Sequence, residues 1–127
     1  MPHISIAVSP GLAGRMDWAR ILPPIHRALA ERGFAAIDDL KSRVQLCDYA
    51  LLGDDEAAQQ IVATLHMTNP RADETQRAMA EIILAHLEQA VTTADLGCWT
   101  QCCVFCAFTP KSHYLRRDLF AERAATS

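Results

Sequence analysis

The spacing of the hydrophobic residues changes from alternating to helical and back to alternating, and this order occurs twice in the chain. The opening residues alternate, with Ile4, Ile6 and Val8 on one side, which is the pattern of a half-buried strand. A stretch with helical spacing and a second alternating stretch follow, and the whole order is then repeated. The pattern predicts an α/β (α+β) fold, in which two βαβ units form a four-stranded mixed sheet with two helices on one face.

The two units cover about residues 2–48 and 61–108 of a chain of 127 residues, which is a length typical of one domain. Gly33 supplies a stop signal for the first helix. Pro23 and Pro24 fall where the helical spacing has already begun, and proline is comfortable only in a first turn. The regular helix therefore either begins near Pro23, after a looser turn, or is kinked there.

The second helix and the end of the chain allow three further expectations. Asp73 and Gln76 have the spacing of a capping box at the start of the second helix. Residues 109–127 form a more polar tail, either an arm that contacts a partner or a frayed terminus. The last strand carries apolar residues on both faces, while helices cover only one face of the sheet. That uncovered surface predicts an oligomer.

Charge and hydropathy exclude two classes of partner. The formal net charge is −3 and there is no basic run, which argues against nucleic acid. No apolar stretch approaches the roughly 20 residues of a membrane helix. The chain also begins without the basic start and apolar run of a signal peptide, so the cytoplasm is the expected location.

The cysteines raise the question of a metal site. Four of the five crowd into CWTQCCVFC, and the spacing of Cys103 and Cys106 is found in zinc sites. A structural zinc site needs a second ligand pair, and none of comparable quality occurs. The segment also has the pattern of a strand, which would direct these two side chains to opposite faces. We therefore expect free, buried cysteines and no metal.

Pro2 lies directly behind Met1, at the head of the first strand. One interpretation is structural, because proline is tolerated as the first residue of a strand. The other is chemical, because removal of Met1 would leave a secondary amine at the start of the chain. Burial or nearby cations lower the pKa of an amine, and an amine close to neutrality is a usable general base.

Four segments, MPHISI, LKSRVQ, ATLHMT and NPRADETQRA, follow one another over roughly residues 2–91. Together they resemble the 5-carboxymethyl-2-hydroxymuconate isomerase family, which belongs to the tautomerase superfamily. The resemblance implies a homotrimer without metal or organic cofactor. It also implies an amino-terminal proline base and a proton shift in an unsaturated 2-hydroxymuconate-type polycarboxylate from the breakdown of aromatic compounds.

The resemblance carries over to four residues. Pro2 matches the catalytic proline, and Arg43 matches the second arginine of the family's R-S-R-V motif. Lys41 lies where the family usually has the first arginine of that motif, and Arg71 lies near its other carboxylate-binding arginine. From the residues alone, Lys41 and Arg43 alternate along the second strand and should share one face. The expected partner is a small anionic unsaturated carboxylate.

Two differences from the family's pattern leave other functions possible. Lysine at position 41 retains the charge but not the planar grip of arginine on a carboxylate. The last strand also lacks the acidic residues typical of the family there. The alternatives are a non-catalytic tautomerase-like trimer that binds a small acid or a protein, and a dehalogenase or hydratase that uses the same proline. His3 could line the site, whereas His66 has the surroundings of a hydrogen-bonded structural histidine.

Overall fold

The computed structural model describes residues 2–120 and contains both predicted units. The first unit consists of β1 (His3–Val8), α1 (Trp18–Glu31) and β2 (Lys41–Leu46). The second consists of β3 (Gln59–Met67), α2 (Asp73–Ala94) and β4 (Thr100–Phe108). The strand order is β2-β1-β3-β4, with β1 parallel to β2, β3 parallel to β4, and β1 antiparallel to β3. The predicted mixed sheet is confirmed.

Both helices cover the same face of the sheet, as predicted. In β1, and in β3 from Gln60 onward, buried residues alternate with partly exposed ones. The buried residues pack with apolar side chains of both helices into one core, which includes Ile4, Ile6, Val8, Ile25, Leu29, Ile61, Ala63, Leu65, Met67, Met79, Ile83 and Leu87. We call this side the helix-covered face. The opposite side, the open face, carries Lys41, Arg43, Gln45, His3, Ser5, Ala7, Gln60, Val62, Thr64, His66, Gln101, Cys103, Phe105 and Ala107.

Helix α1 begins at Trp18 and continues through both prolines, so a start near Pro23 is wrong. Prolines at 23 and 24 have no N–H, which leaves the carbonyls of Ala19 and Arg20 without their usual partners four residues on. Both of these residues are exposed, so water can satisfy the two carbonyls.

The end of α1 follows the predicted glycine stop. Gly33 has a φ of +76°, a conformation that only glycine adopts without strain. The N–H of Gly33 donates to the carbonyl of Ala30, and the N–H of Phe34 donates to the carbonyl of Leu29. These two bonds form a Schellman motif, which ends the helix and fixes the backbone of Phe34.

The predicted capping box at the start of α2 is wrong. The helix is capped by Ala72 without a side-chain hydrogen bond, and Asp73 is its first residue. There the carboxylate of Asp73 lies in the first turn, which the helix dipole favours. The side-chain amide of Gln76 instead donates to the carbonyl of Arg71 at 2.9 Å. Gln76 therefore holds the loop that carries Arg71.

The predicted tail lies only partly within the structure. Residues 109–120 are described, and they include a short 3₁₀ turn at Lys111–His113. Met1 and the last part of the predicted tail, residues 121–127, lie outside the described residues. Within residues 2–120, no helix is both long and apolar enough to cross a membrane.

Candidate active site

One end of the sheet brings together residues that are far apart in sequence. His3 at the start of β1 is paired with Lys41 at the start of β2 and with His66 near the end of β3. Met67 is paired with Phe108 at the end of β4. We call this edge, where β1 and β2 begin and β3 and β4 end, the Pro2 end of the sheet.

Pro2 and Lys41 are linked through their backbones. Pro2 is buried, and its carbonyl accepts a hydrogen bond from the N–H of Lys41 at 3.3 Å. The ammonium of Lys41 lies 3.4 Å from the carbonyl oxygens of Asp38 and Asp39, to which it donates. These carbonyls hold the Lys41 charge beside the start of β2, next to β1, which Pro2 directly precedes.

Arg43 lies two residues further along β2 and is paired with Ser5. This register places Arg43 on the open face together with Lys41, which confirms that the two cations share a face. Arg43 is exposed, and it forms no hydrogen bond or ion pair with any residue of the described part of the chain. Its guanidinium is therefore available to an anionic ligand.

The pKa of His3, the residue that follows Pro2, is lowered by its surroundings. Burial lowers the pKa of the imidazole, and the positive charges of Arg43 and Lys41 lower it further. Both ring nitrogens of His3 are buried and have no hydrogen-bond partner between residues 2 and 120. The positive field of both cations therefore reaches the residue beside Pro2, where it would also favour a neutral amine.

Arg71 is held by a different part of the fold. Its Nη2 donates to the carbonyl of Phe34 at 2.9 Å, so it ties the loop before α2 to the turn after α1. Its Nη1 is buried and has no partner among the described residues. Of the four predicted site residues, Pro2, Lys41 and Arg43 are brought together, whereas the contacts of Arg71 are with the helix termini.

Two contacts at the Pro2 end involve the predicted tail. Nε2 of His66 lies 2.5 Å from the hydroxyl of Thr109, which agrees with the expected hydrogen-bonded histidine. The ring of Tyr114 contacts the ring of His3 edge-to-face, with centroids 6.2 Å apart. No sequence pattern indicates Tyr114, because it lies in a polar tail without regular spacing.

A second missed contact supports β2 from behind. Nε2 of His26 on α1 lies 2.6 Å from the hydroxyl of Ser42. Ser42 lies between Lys41 and Arg43 in sequence but on the helix-covered face. Burial lowers the pKa of His26, so near neutral pH this ring forms an uncharged hydrogen bond. The bond links α1 to the strand that carries the two cations.

The cysteine-rich strand does not form a metal centre within residues 2–120, where no cluster of three or more metal-binding side chains occurs. Cys103 is paired with Val62 on the open face and Cys106 with Leu65 on the helix-covered face, as the strand pattern predicted. The expected burial is wrong: Cys98 and Cys106 are exposed, and the other three cysteines are only partly buried. Partial burial nevertheless raises the pKa of the Cys102 and Cys106 thiols. Both thiols therefore favour the protonated, less reactive form.

A cavity of about 510 Å³ lies elsewhere, between α1 and α2. Two arginines line it, but both already have partners in the chain. Arg15 lies 3.4 Å from the carbonyl of Leu96, and Arg20 forms an ion pair with Asp17. We therefore place the candidate site for a carboxylate at the Pro2 end, where the Arg43 guanidinium is available.

The chain matches no protein-family model and no curated protein sequence. Solved structures do match over most of its length. A 5-carboxymethyl-2-hydroxymuconate isomerase from Deinococcus radiodurans R1 superposes with a TM-score of 0.78 at 12% identity, covering 93% of this chain and 90% of that chain.

Two further structures show the breadth of the fold. A member of the cis-3-chloroacrylic acid dehalogenase family has a TM-score of 0.64 at 11% identity, covering 90% of this chain and 79% of that one. A fused 4-OT described as a wild-type symmetric trimer has a TM-score of 0.59 at 14% identity, covering 98% and 99%. The chain thus has the tautomerase fold, which hosts more than one reaction.

Proposed function

We propose that this protein is a cofactor-independent isomerase that moves a proton within an unsaturated 2-hydroxymuconate-type polycarboxylate. In this proposal Met1 is removed and the amine of Pro2 is the general base. Lys41 and Arg43 bind the carboxylates of the substrate, and Arg71 contributes a further contact. The substrate class and its origin in the breakdown of aromatic compounds come from the resemblance to 5-carboxymethyl-2-hydroxymuconate isomerases.

The observation that carries the proposal is the grouping of Pro2, Lys41 and Arg43 at one end of the sheet. A unit charge 4 Å from an amine, at an effective dielectric of about 20, contributes roughly 4 kcal/mol before solvent weakens it. Lowering a pKa by one unit requires only about 1.4 kcal/mol. One well-placed cation would therefore be enough to keep a terminal amine neutral near pH 7.

The reaction then needs only groups of this chain. The neutral Pro2 nitrogen removes the proton of the enol hydroxyl, and the electron pair left on oxygen moves into the conjugated system. The cations at positions 41 and 43 stabilise the resulting dienolate, because they are held in place before the charge develops. The protonated Pro2 then returns the proton to a carbon atom, which completes the isomerisation and restores the base.

We further propose that the working unit is a homotrimer. No helix within residues 2–120 covers the open face, and Phe105 on this face is 61% exposed. Leu46 at the end of the edge strand β2 and Tyr49 just after it are also exposed. Sedimentation should give a mass three times that of the 14.0 kDa chain. A monomer under all conditions would contradict this part of the proposal.

The decisive variant is Pro2→Ala, assayed with 2-hydroxymuconate by the change in ultraviolet absorbance. Alanine keeps an amino group but loses the rigid secondary amine, so we expect kcat to fall by about 10²-fold, with some activity left. Intact-mass measurement must show that both chains lack Met1. A version with an uncleaved amino-terminal extension is the matched control, and it should be inactive.

Further assays of the same preparation distinguish the proposed isomerase from a dehalogenase and from a non-catalytic binding protein. Chloride release from cis-3-chloroacrylate without isomerisation would favour a dehalogenase that uses Pro2. Calorimetric binding of 2-hydroxymuconate without turnover would favour a non-catalytic binding protein. Full activity in the extended version would show that a free Pro2 amine is not the base.

A further inference from the structure

The carboxyl-terminal segment, residues 109–120, leaves β4 and returns across the Pro2 end of the sheet. The N–H of Thr109 donates to the carbonyl of Met67 at 2.9 Å, and its hydroxyl contacts His66. These bonds hold the start of the segment on β3. The turn at Lys111–His113 follows, and the next residue reaches β1.

Tyr114 is the residue that reaches β1. Its ring lies 6.2 Å from the ring of His3 at an interplanar angle of 68°, an edge-to-face contact that aromatic rings favour. Tyr114 is partly buried, whereas the next residue, Leu115, is 88% exposed. The segment therefore presents Tyr114 to the sheet and Leu115 to solvent.

The contact with Tyr114 matters because the His3 ring can form hydrogen bonds. A neutral imidazole has one N–H donor and one acceptor nitrogen. In His3 both nitrogens are shielded from water and have no partner among residues 2–120. Buried donors and acceptors without partners are unfavourable. A bound molecule with oxygen atoms would supply the hydrogen bonds that the described residues do not.

We propose that Tyr114 is a positioning residue of the Pro2 site, which holds His3 shielded against the sheet and limits access to Pro2. His3 in turn donates its ring N–H to an oxygen of the bound carboxylate. The identification of the ligand as a carboxylate rests on the proposed function. The contact between the two rings and the burial of the His3 nitrogens do not depend on it.

Residues 109–120 can be substituted in an experiment because their side chains contribute little to the hydrophobic core. Leu115 and Leu119, its two leucines, are 88% and 87% exposed. Substituting Tyr114 should therefore change the contact with His3 without unfolding the sheet. Tyr114→Ala removes the ring and Tyr114→Phe retains it. Leu115→Ala, one residue away and facing solvent, is the matched control.

The first measurement is an NMR titration of the His3 ring, in the presence of its neighbours Arg43, Lys41 and His66. In Tyr114→Ala, water reaches the ring and the pKa of His3 should rise towards its ordinary value. Tyr114→Phe and Leu115→Ala should titrate like the unmodified chain. An unchanged His3 titration in Tyr114→Ala would overturn the proposal.

The second measurement is the rate at which 2-oxo-3-pentynoate, a small alkynyl keto acid, modifies Pro2. The proline nitrogen forms a bond to the alkyne carbon, and its proton moves to the neighbouring carbon, so the mass increases by the whole reagent. Tyr114→Ala should react at least about fivefold faster, whereas the other two variants stay within about twofold. Equal rates in all variants would contradict the proposed limit on access.

The proposed function and the role of Tyr114 can be disproved separately. If Tyr114→Ala changes the His3 titration and the labelling rate but no chain isomerises 2-hydroxymuconate, the proposed function fails and the role of Tyr114 stands. If the chain isomerises 2-hydroxymuconate but Tyr114→Ala changes neither, the role of Tyr114 is wrong and the proposed function stands.

Discussion

The two faces of the sheet consist of the same four strands and differ in almost every physical property. On the helix-covered face, Ile4 and Leu65 are completely buried. On the open face of the same strands, His3 and Thr64 remain partly exposed, and Arg43 on the neighbouring strand is exposed. Because side chains alternate, adjacent residues serve separate purposes, one face stabilising the fold and the other carrying the candidate site.

The largest effect should come from the helix-covered face. Leu65→Ala removes a fully buried side chain, so we expect the free energy of unfolding to fall by about 2–5 kcal/mol. The adjacent open-face variant, Thr64→Ala, should cost less than about 1 kcal/mol. Urea denaturation measures both. Equal losses would mean that the open face is packed as tightly as the core, which would contradict the stated difference between the two faces.

The next largest effect concerns the cations of the open face. Arg43→Ala should raise KM for 2-hydroxymuconate and lower kcat/KM by roughly 10- to 100-fold, because a charge-assisted hydrogen bond contributes about 1.5–3 kcal/mol. Lys41→Ala should act similarly, and Lys41→Arg should retain activity. Arg77→Ala, on the exposed surface of α2, is the control. Wild-type kinetics in Arg43→Ala would remove this cation from the site.

Arg71 tests whether its role is structural as well as ligand-binding. Arg71→Ala should lower the free energy of unfolding by about 1–2 kcal/mol, because the carbonyl of Phe34 loses its partner. As a proposed carboxylate contact it should also raise KM. A loss of stability with unchanged KM would restrict Arg71 to joining the helix termini.

The smallest effect is on pH dependence. Burial lowers the pKa of both His3 and His26, so the folded chain takes up these protons less readily than the unfolded chain. Stability should therefore decrease as pH falls below the ordinary histidine value of about 6.5. Urea denaturation at pH 7 and pH 5.5 checks this, with a His3→Gln, His26→Gln double variant as control. An equal decrease in the double variant would assign the effect to other groups.

The sequence predicted the fold well because the fold depends on period. The alternation of Ile4, Ile6 and Val8, the helical spacing in α2 and the stop at Gly33 are local patterns, and each is present in the structure. The prolines of α1 were harder to interpret, because their cost depends on whether the carbonyls of Ala19 and Arg20 face water.

The site was predicted only where it follows a strand. Lys41 and Arg43 share a face because of the two-residue period, and that period is visible in the sequence. The contacts of Arg71 with Phe34, of His26 with Ser42 and of Tyr114 with His3 join residues 37, 16 and 111 positions apart. Such contacts depend on how the elements pack, which no local pattern contains.

The proposed mechanism requires a free Pro2 amine in the positive field of Lys41 and Arg43. It is tested most directly by an NMR titration of the Pro2 nitrogen in the chain that lacks Met1. That field should lower the pKa of Pro2 below the ordinary α-amino value of about 8, and the pKa should be higher in Arg43→Gln, where one positive charge is lost. A pKa at or above about 8 that does not respond to Arg43→Gln would contradict it.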